Sequence, residues 1–392
     1  MKILVVCQYY YPEPFRLSDI CEELVNRGHQ VTALTGVPNY PMGRIYEGYE
    51  KRKEENIKGV HVIRTWTYPR GTGSVKRLLN YFSYPISAWF KAGRLDDDFD
   101  VVLINQQSPV MMAWPGIRYG RKHKVPVVMY CMDLWPASLV AGGIGTSACI
   151  YRAFHGISKH CYRAMDKILV TSRMFKEYLK DQFGIEESKM DSLPQYAEGI
   201  FEYIEPRKPD GKINLVFAGN IGTAQSLDTV IDAAAQLPDV TFHIVGDGVE
   251  LERLKAKAGK NVKFYGRQPL EDMPKYYAMA DAMIVSLQAD PVLSLTLPGK
   301  VQSYMAVGKP IIGVADGETK TTIEEAQCGY YGKAEDVDEL VENVKKFVES
   351  KDKEKMGKNS RQYYEEHFMR DRFMGSLERE LKTVSLMEKN ND

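Results

Sequence analysis

The chain has 392 residues, of which 44% are apolar and 27% charged, a globular composition that excludes a collagenous, coiled-coil or disordered protein. Its length suits two compact cores better than one. The 52 basic and 52 acidic residues cancel, yet residues 1–200 hold 26 Lys and Arg against 20 Asp and Glu, and the remainder 26 against 32. No whole-molecule field marks a nucleic-acid binder, and the asymmetry fits either one domain facing an anionic partner or two differently solvated surfaces.

The opening apolar run at 3–7 is too short for a signal-peptide core. No run reaches the roughly 18 apolar residues of a membrane span. Both observations predict a cytoplasmic protein. The six cysteines form no CxxC pair and read as buried thiols. Continuous β-branched runs at 2–7, 30–35, 60–65, 101–105, 125–131 and 168–171 predict buried strands. Helical spacing appears at 15–27 before Gly28 and at 175–183 before Gly184. A proline- and charge-rich segment at 204–212 predicts an exposed hinge. A second series of strands follows at 213–218, 240–245, 262–265, 282–287 and 310–314, with helices at 227–235, 250–257, 273–280 and 301–307. Helical patterns at 335–349, 353–366 and 372–387 complete the chain. Alternating strands and helices predict an α/β protein of two doubly wound domains, 1–200 and 205–373.

Ligands of parallel sheets bind beyond the carboxyl ends of the strands. In the first domain that edge holds Arg16, Asn39, Tyr40, Gln106, Asp133 and Trp135; in the second it holds the glycine turns 219–222 and 246–248, then Arg267 and the stretch 287–300. Gly219 and Gly222 let backbone amides approach a phosphate, although turns after strands also contain glycine for geometry alone. Pro298 and Gly299 shape a turn that places Lys300 in the first turn of a helix, against the dipole. An anion bound there would explain it; a lysine swung into water is the plainer account.

These motifs, Gly219-Asn220-Ile221-Gly222, Gly246-Asp247-Gly248 and Pro298-Gly299-Lys300 through Pro310, with Asp133-Leu134-Trp135-Pro136 and Pro38-Asn39-Tyr40-Pro41, resemble glycosyltransferase family 4. The likeness is greatest to the bacterial surface-polysaccharide branch that includes N-acetylfucosamine transferases. The resemblance implies the GT-B architecture, two Rossmann-like domains facing a central cleft, with a final helix at about 374–392 crossing back to the first. It implies a retaining, metal-independent hexosyltransferase without a cofactor, using a nucleotide-sugar donor best matched by a UDP-linked N-acetylated amino sugar.

Carried over by position, Gly219 to Gly222 would cradle the donor diphosphate with Asn220 and Gln225, and Lys300 would neutralise it as the glycosidic bond breaks. Gly246, Gly248, Arg267, Pro298, Gly299 and Ser303 would complete the donor site. Asp133 would face the reacting sugar, and Arg16, Asn39, Tyr40, Gln106 and Trp135 the acceptor. The chain departs from the family where two glutamates are replaced by Leu295 and Ser303, where an arginine and a lysine are replaced by Asn220 and Gln225, and where a histidine is replaced by Met132. At Ser303 a carboxylate contact is expected to be lost.

Other patterns carry less. The DxD match in Asp96-Asp97-Asp98 precedes a strand, the wrong edge for a metal-diphosphate site, and His155 and His160 lack further ligands for zinc. Residues 74–94 mix Lys76, Arg77, Lys91 and Arg94 with Leu78, Leu79, Phe82, Trp89 and Phe90, and 118–124 adds basic charge. They fit a helix pair packed on the sheet, interrupted at Pro85, or a surface that meets an anionic membrane. The family likeness favours the membrane, peripherally at its inner face, where the acceptor would be a polyprenyl-diphosphate-linked saccharide. A non-hydrolysing nucleotide-sugar epimerase and a non-catalytic nucleotide-sugar-binding protein are the alternatives. A nicotinamide dehydrogenase is excluded, because the first strand is followed by Gln8-Tyr9-Tyr10-Tyr11-Pro12 instead of a GxGxxG turn.

Overall fold

The computed structural model describes residues 1–71, 73–141 and 145–389. The last three residues of the expected final helix lie outside them. The chain divides into two compact units, Met1–Thr171 with Phe175–Leu193 and the C-terminal helix from Met374, and Ser172–Met174 with Pro194–Phe373.

In the first unit the order is β1 (Lys2–Val6), α1 (Leu17–Asn26), β2 (Gln30–Gly36), β3 (Glu54–Ile57), β4 (Val60–Thr65) and α2 (Ser74–Ala92). There follow β5 (Val101–Gln106), α3 (Trp114–His123), β6 (Val127–Cys131), α4 (Ser138–Ala141), α5 (Cys149–Arg163), β7 (Lys167–Val170), α6 (Phe175–Phe183) and β8 (Met190–Ser192). The second unit begins with β9 (Ile213–Ala218), α7 (Leu227–Ala235), β10 (Val240–Val245), α8 (Leu251–Lys257), β11 (Val262–Phe264) and α9 (Met273–Met279). It continues with β12 (Ala282–Ser286), α10 (Gly299–Ala306), β13 (Ile311–Val314), α11 (Gly317–Ala326) and β14 (Gly329–Gly332). Helices α12 (Val337–Glu349), α13 (Lys353–His367) and α14 (Arg370–Lys389) close the chain.

The first sheet runs β3-β4-β2-β1-β5-β6-β7-β8, parallel except for β3 against β4. The second runs β11-β10-β9-β12-β13-β14, parallel throughout. Both sheets are doubly wound, with strand order reversing between β1 and β5 and between β9 and β12. Such reversals open a crevice at the carboxyl ends. Burial explains why these strands read as unbroken apolar runs. In β9, Leu215 and Phe217 enter one core and Val216 and Ala218 the other, so both faces of the pleat are covered.

Four expectations change. The chain passes between units at Leu193–Pro194, ahead of position 200, because Ala197 and Phe201 pack into the second unit's core. The proline-rich segment is also pinned there: the Ile204 amide donates to Val307 O at 3.1 Å and Arg207 Nη2 to Asp281 Oδ2 at 3.2 Å. Pro85 does not split α2, which runs unbroken through it. Buried Tyr84 and Ala88 flank it on the sheet side, with Tyr84 Oη donating to Leu34 O at 2.8 Å, and this packing offsets the missing amide. Five cysteines are buried, whereas Cys149, the first residue of α5, is exposed. No helix among the described residues is long and apolar enough to cross a membrane.

Candidate active site

In the second unit three turns lie side by side at the strand ends. The Gly219 amide donates to Val245 O at 2.9 Å, the Ile221 amide to Asp247 O at 2.8 Å, and the Gly246 amide to Gly266 O at 2.9 Å. This zipper needs glycine at two positions above all. Gly219 and Gly246 have φ of +152° and +143°, and a Cβ on Gly246 would stand 1.8 Å from Gly219 O. Gly248 is equally tight, 2.2 Å from Ile221 O, whereas Gly222 would meet only the Asn220 side chain and Gly299 nothing closer than 3.8 Å. Arg267 follows Gly266 and is exposed.

Helix α10 is fixed over the strand reversal by buried Tyr304, whose hydroxyl accepts from the Ala218 amide at 2.9 Å and donates to Ala218 O at 3.0 Å. Pro298 caps the helix in extended conformation, and Lys300 extends to the turn after β9. Its Nζ lies 3.9 Å from the centre of the Phe217 ring and donates to Gln225 Oε1. A Cβ on Gly219 would stand 2.9 Å from that Nζ, so Lys300 lies against the glycine turn and does not swing into water. No carboxylate offsets its burial, which holds its pKa down at about 7. Amides, a helix start and a desolvated ammonium thus meet at one place suited to an anion.

Ser303, one turn along α10, donates to Glu198 Oε2 at 3.4 Å. A carboxylate from a segment distant in sequence thus lies beside Ser303. Leu295 ends a short 3-10 turn, and its carbonyl accepts from Ser172 Oγ.

At the first unit's strand ends, Asp133 accepts from Ser108 Oγ, which in turn accepts from Trp135 Nε1 at 2.7 Å. Burial raises the Asp133 pKa. Of the residues expected to face an acceptor, Asn39, Gln106 and Trp135 are turned inward. Trp135 is 1% exposed and sits edge-on to Tyr81 and Phe154. Asn39 joins Val37 O to the Arg70 amide, and Gln106 bonds Gln107 O. These three build the edge; Arg16 and Tyr40 remain partly exposed on it.

The sequence reading missed Glu13. Its carboxylate is 2% exposed and accepts from the amides of Asn39 at 2.8 Å, Tyr40 at 2.7 Å and Tyr10 at 3.1 Å, so it ties the turn after β1 to the turn after β2. Its only sequence signal was an acidic residue between two prolines. Burial raises its pKa from 4.5 to about 7 despite those amides. Because the folded protein holds this proton more tightly than the unfolded chain, stability should fall as pH rises from about 4.5 to about 7. Glu13→Gln should remove that dependence and, by turning an amide donor toward one of three backbone donors, cost about 1–3 kcal/mol; urea unfolding across this pH range checks both.

Among the described residues no group of three or more His, Cys, Asp or Glu could hold a metal ion. Residues 15–195 match the glycosyl transferase 4-like domain, and residues 202–363 match glycosyl transferases group 1. WcaI of Escherichia coli strain K12, named as a colanic acid biosynthesis glycosyl transferase, is 26% identical over 355 residues, 82% of this chain and 84% of its own. Among solved structures, sucrose-phosphate synthase from Thermosynechococcus elongatus superposes with a TM-score of 0.75 at 16% identity, over 98% of this chain and 99% of that one. HepE of Anabaena in complex with UDP gives 0.71 at 16% identity, over 98% and 100%. With the two domain matches lying end to end on two doubly wound units, the chain is a GT-B glycosyltransferase of group 1 with a 4-like first domain.

Proposed function

We propose that this glycosyltransferase moves an N-acetylated amino sugar from a uridine-diphosphate donor onto a polyprenyl-diphosphate-linked saccharide in surface polysaccharide synthesis. The reaction is retaining and metal-independent in this reading. The observation that carries it is Lys300, a partly buried ammonium held against the glycine turn after β9. A relative named for colanic acid synthesis and the UDP complex of HepE support the polysaccharide and nucleotide assignments.

An acceptor hydroxyl attacks the sugar C1 on the face from which the nucleoside diphosphate departs, and its proton leaves with the diphosphate. Negative charge grows on the leaving oxygens. The amides of Asn220 and Gly222, in a turn fixed by the Gly219 and Ile221 bonds to Val245 and Asp247, and the Lys300 ammonium meet that charge without reorganising, the arrangement that lowers such barriers most. Gln225, now bonded to Lys300, yields the ammonium to the diphosphate, and exposed Arg267, on the third of the three turns, serves its outer oxygens or the base. Glu198 and Ser303 suit a ribose diol, and Asp133, held by Ser108, is the group assigned to the reacting sugar. The outward face of α2, with Val75, Leu78, Leu79, Ile86, Trp89 and Phe90 exposed, attaches the enzyme to the anionic inner membrane face.

A panel of nucleotide sugars tests the donor. At a hundredfold excess over Kd the cognate donor should stabilise the protein by about 2.7 kcal/mol, visible as a raised melting temperature for UDP-linked amino sugars. Stabilisation by a guanosine-linked sugar and by no uridine-linked one would refute the assignment.

A further inference from the structure

Away from the strand ends, helices α2, α3 and α5 of the first unit enclose a groove of about 780 Å³. Its lining combines apolar Trp89, Trp114, Ile117 and Ile157 with basic Arg118, Arg121 and His160. The Arg118 guanidinium lies 3.4 Å from the centre of the Trp89 ring and donates to Trp89 O at 3.0 Å. Arg121 Nη2 and His160 Nε2 stand 3.4 Å apart. Among the described residues no carboxylate lies within ion-pair or hydrogen-bond distance of any of the three, although neighbouring Lys91 and Lys122 are paired with Glu54 and Asp96.

Two arginines and an imidazole gathered without a counter-ion call for an anion. The trough below them calls for an apolar body, because a water-filled groove with such walls is costly. A free phosphate or a nucleotide satisfies the first requirement only. An unmodified sugar satisfies neither. The exposed apolar face of α2, with Ile86, Trp89 and Phe90, continues from the groove and places it beside the surface assigned above to the membrane.

We infer that this groove is a binding site for a single anionic phospholipid, its phosphate held by Arg118, Arg121 and His160 and its first acyl carbons lying between the tryptophans. The inference rests on the membrane attachment proposed above and adds to it a defined site in place of diffuse attraction. Diffuse attraction counts charges wherever they lie near the bilayer, whereas a groove distinguishes position and shape.

The test is flotation of the full chain with phosphatidylcholine vesicles, with and without phosphatidylglycerol. Arg121→Glu should reduce binding to the anionic vesicles roughly tenfold. Ala153→Trp, which fills the exposed trough with no change of charge, should do likewise. Lys351→Glu, the same charge reversal in the second unit, should cost less than about twofold. Binding unaffected by Arg121→Glu and Ala153→Trp, equal loss with Lys351→Glu, equal binding to pure phosphatidylcholine, or release by millimolar inorganic phosphate would each overturn the site while leaving membrane attachment standing. Wild-type protein that ignores both kinds of vesicle would overturn the two together.

Discussion

Lys300→Ala is expected to lower turnover by a factor of about 10²–10³ without loss of the fold. The side chain contributes a partly buried charge, and that charge costs stability. Its folded pKa of about 7 lies below the ordinary 10.5, so the unfolded chain binds more protons between these values and stability rises with pH across that window. Below pH 7 the full penalty is present, and there the alanine variant should melt no lower than the parent. Donor binding has the opposite dependence. Only the ammonium form attracts a diphosphate, so above pH 7 each unit of pH should weaken donor binding by up to about tenfold. Titration calorimetry from pH 6 to 9 should find that slope in the parent and none in Lys300→Ala. Turnover within a factor of two of the parent at saturating donor would rule out the role.

Gly246→Ala should be nearly as damaging for a different reason. The new methyl would lie 1.8 Å from Gly219 O at a φ of +143°, so the turns after β9 and β10 must part. That strain costs about 1–3 kcal/mol and breaks the alignment of the amides from Gly219 and Ile221 with Val245 and Asp247. Donor affinity should fall about tenfold, equivalent to roughly 1.4 kcal/mol. Gly299→Ala is the control for the fold: with no protein atom closer than 3.8 Å, it should leave the melting temperature nearly unchanged. Equal effects at the two positions would show that the zipper of turns is not what holds the amides in place.

The contrast between those glycines shows what could be read from the chain itself. The βα alternation was legible because buried parallel strands are apolar on both faces, as Leu215 to Ala218 are. Strand β3 was not, since Glu54, Glu55 and Asn56 form an edge with no apolar run. Strand β14, Gly-Tyr-Tyr-Gly, escaped for a similar reason. Lys300 stood out through its conflict with the helix dipole, and the structure places it against the predicted glycine turn. Local sequence could not separate Gly246, pressed on a neighbouring backbone, from Gly299, where a Cβ would meet nothing closer than 3.8 Å. Nor could it reveal Glu13 or Glu198, whose partners lie 26 and 105 residues away. Trp135 shows the converse: a motif residue at the strand end whose indole serves the interior.

Strand β3 also bears on how the molecule behaves in bulk. A chain whose formal charges sum to zero has little long-range repulsion to keep copies apart, and an open sheet margin invites another chain to pair with it. Here the four margins are short: β3 has four residues, β8 three, β11 three and β14 four. On β3, Glu54 and Glu55 engage Lys91, Arg52 and Arg64, so an incoming strand would have to displace ion pairs before forming a ladder. Protection against aggregation is thus local, built into the borders of each sheet, where the molecule's overall neutrality cannot provide it.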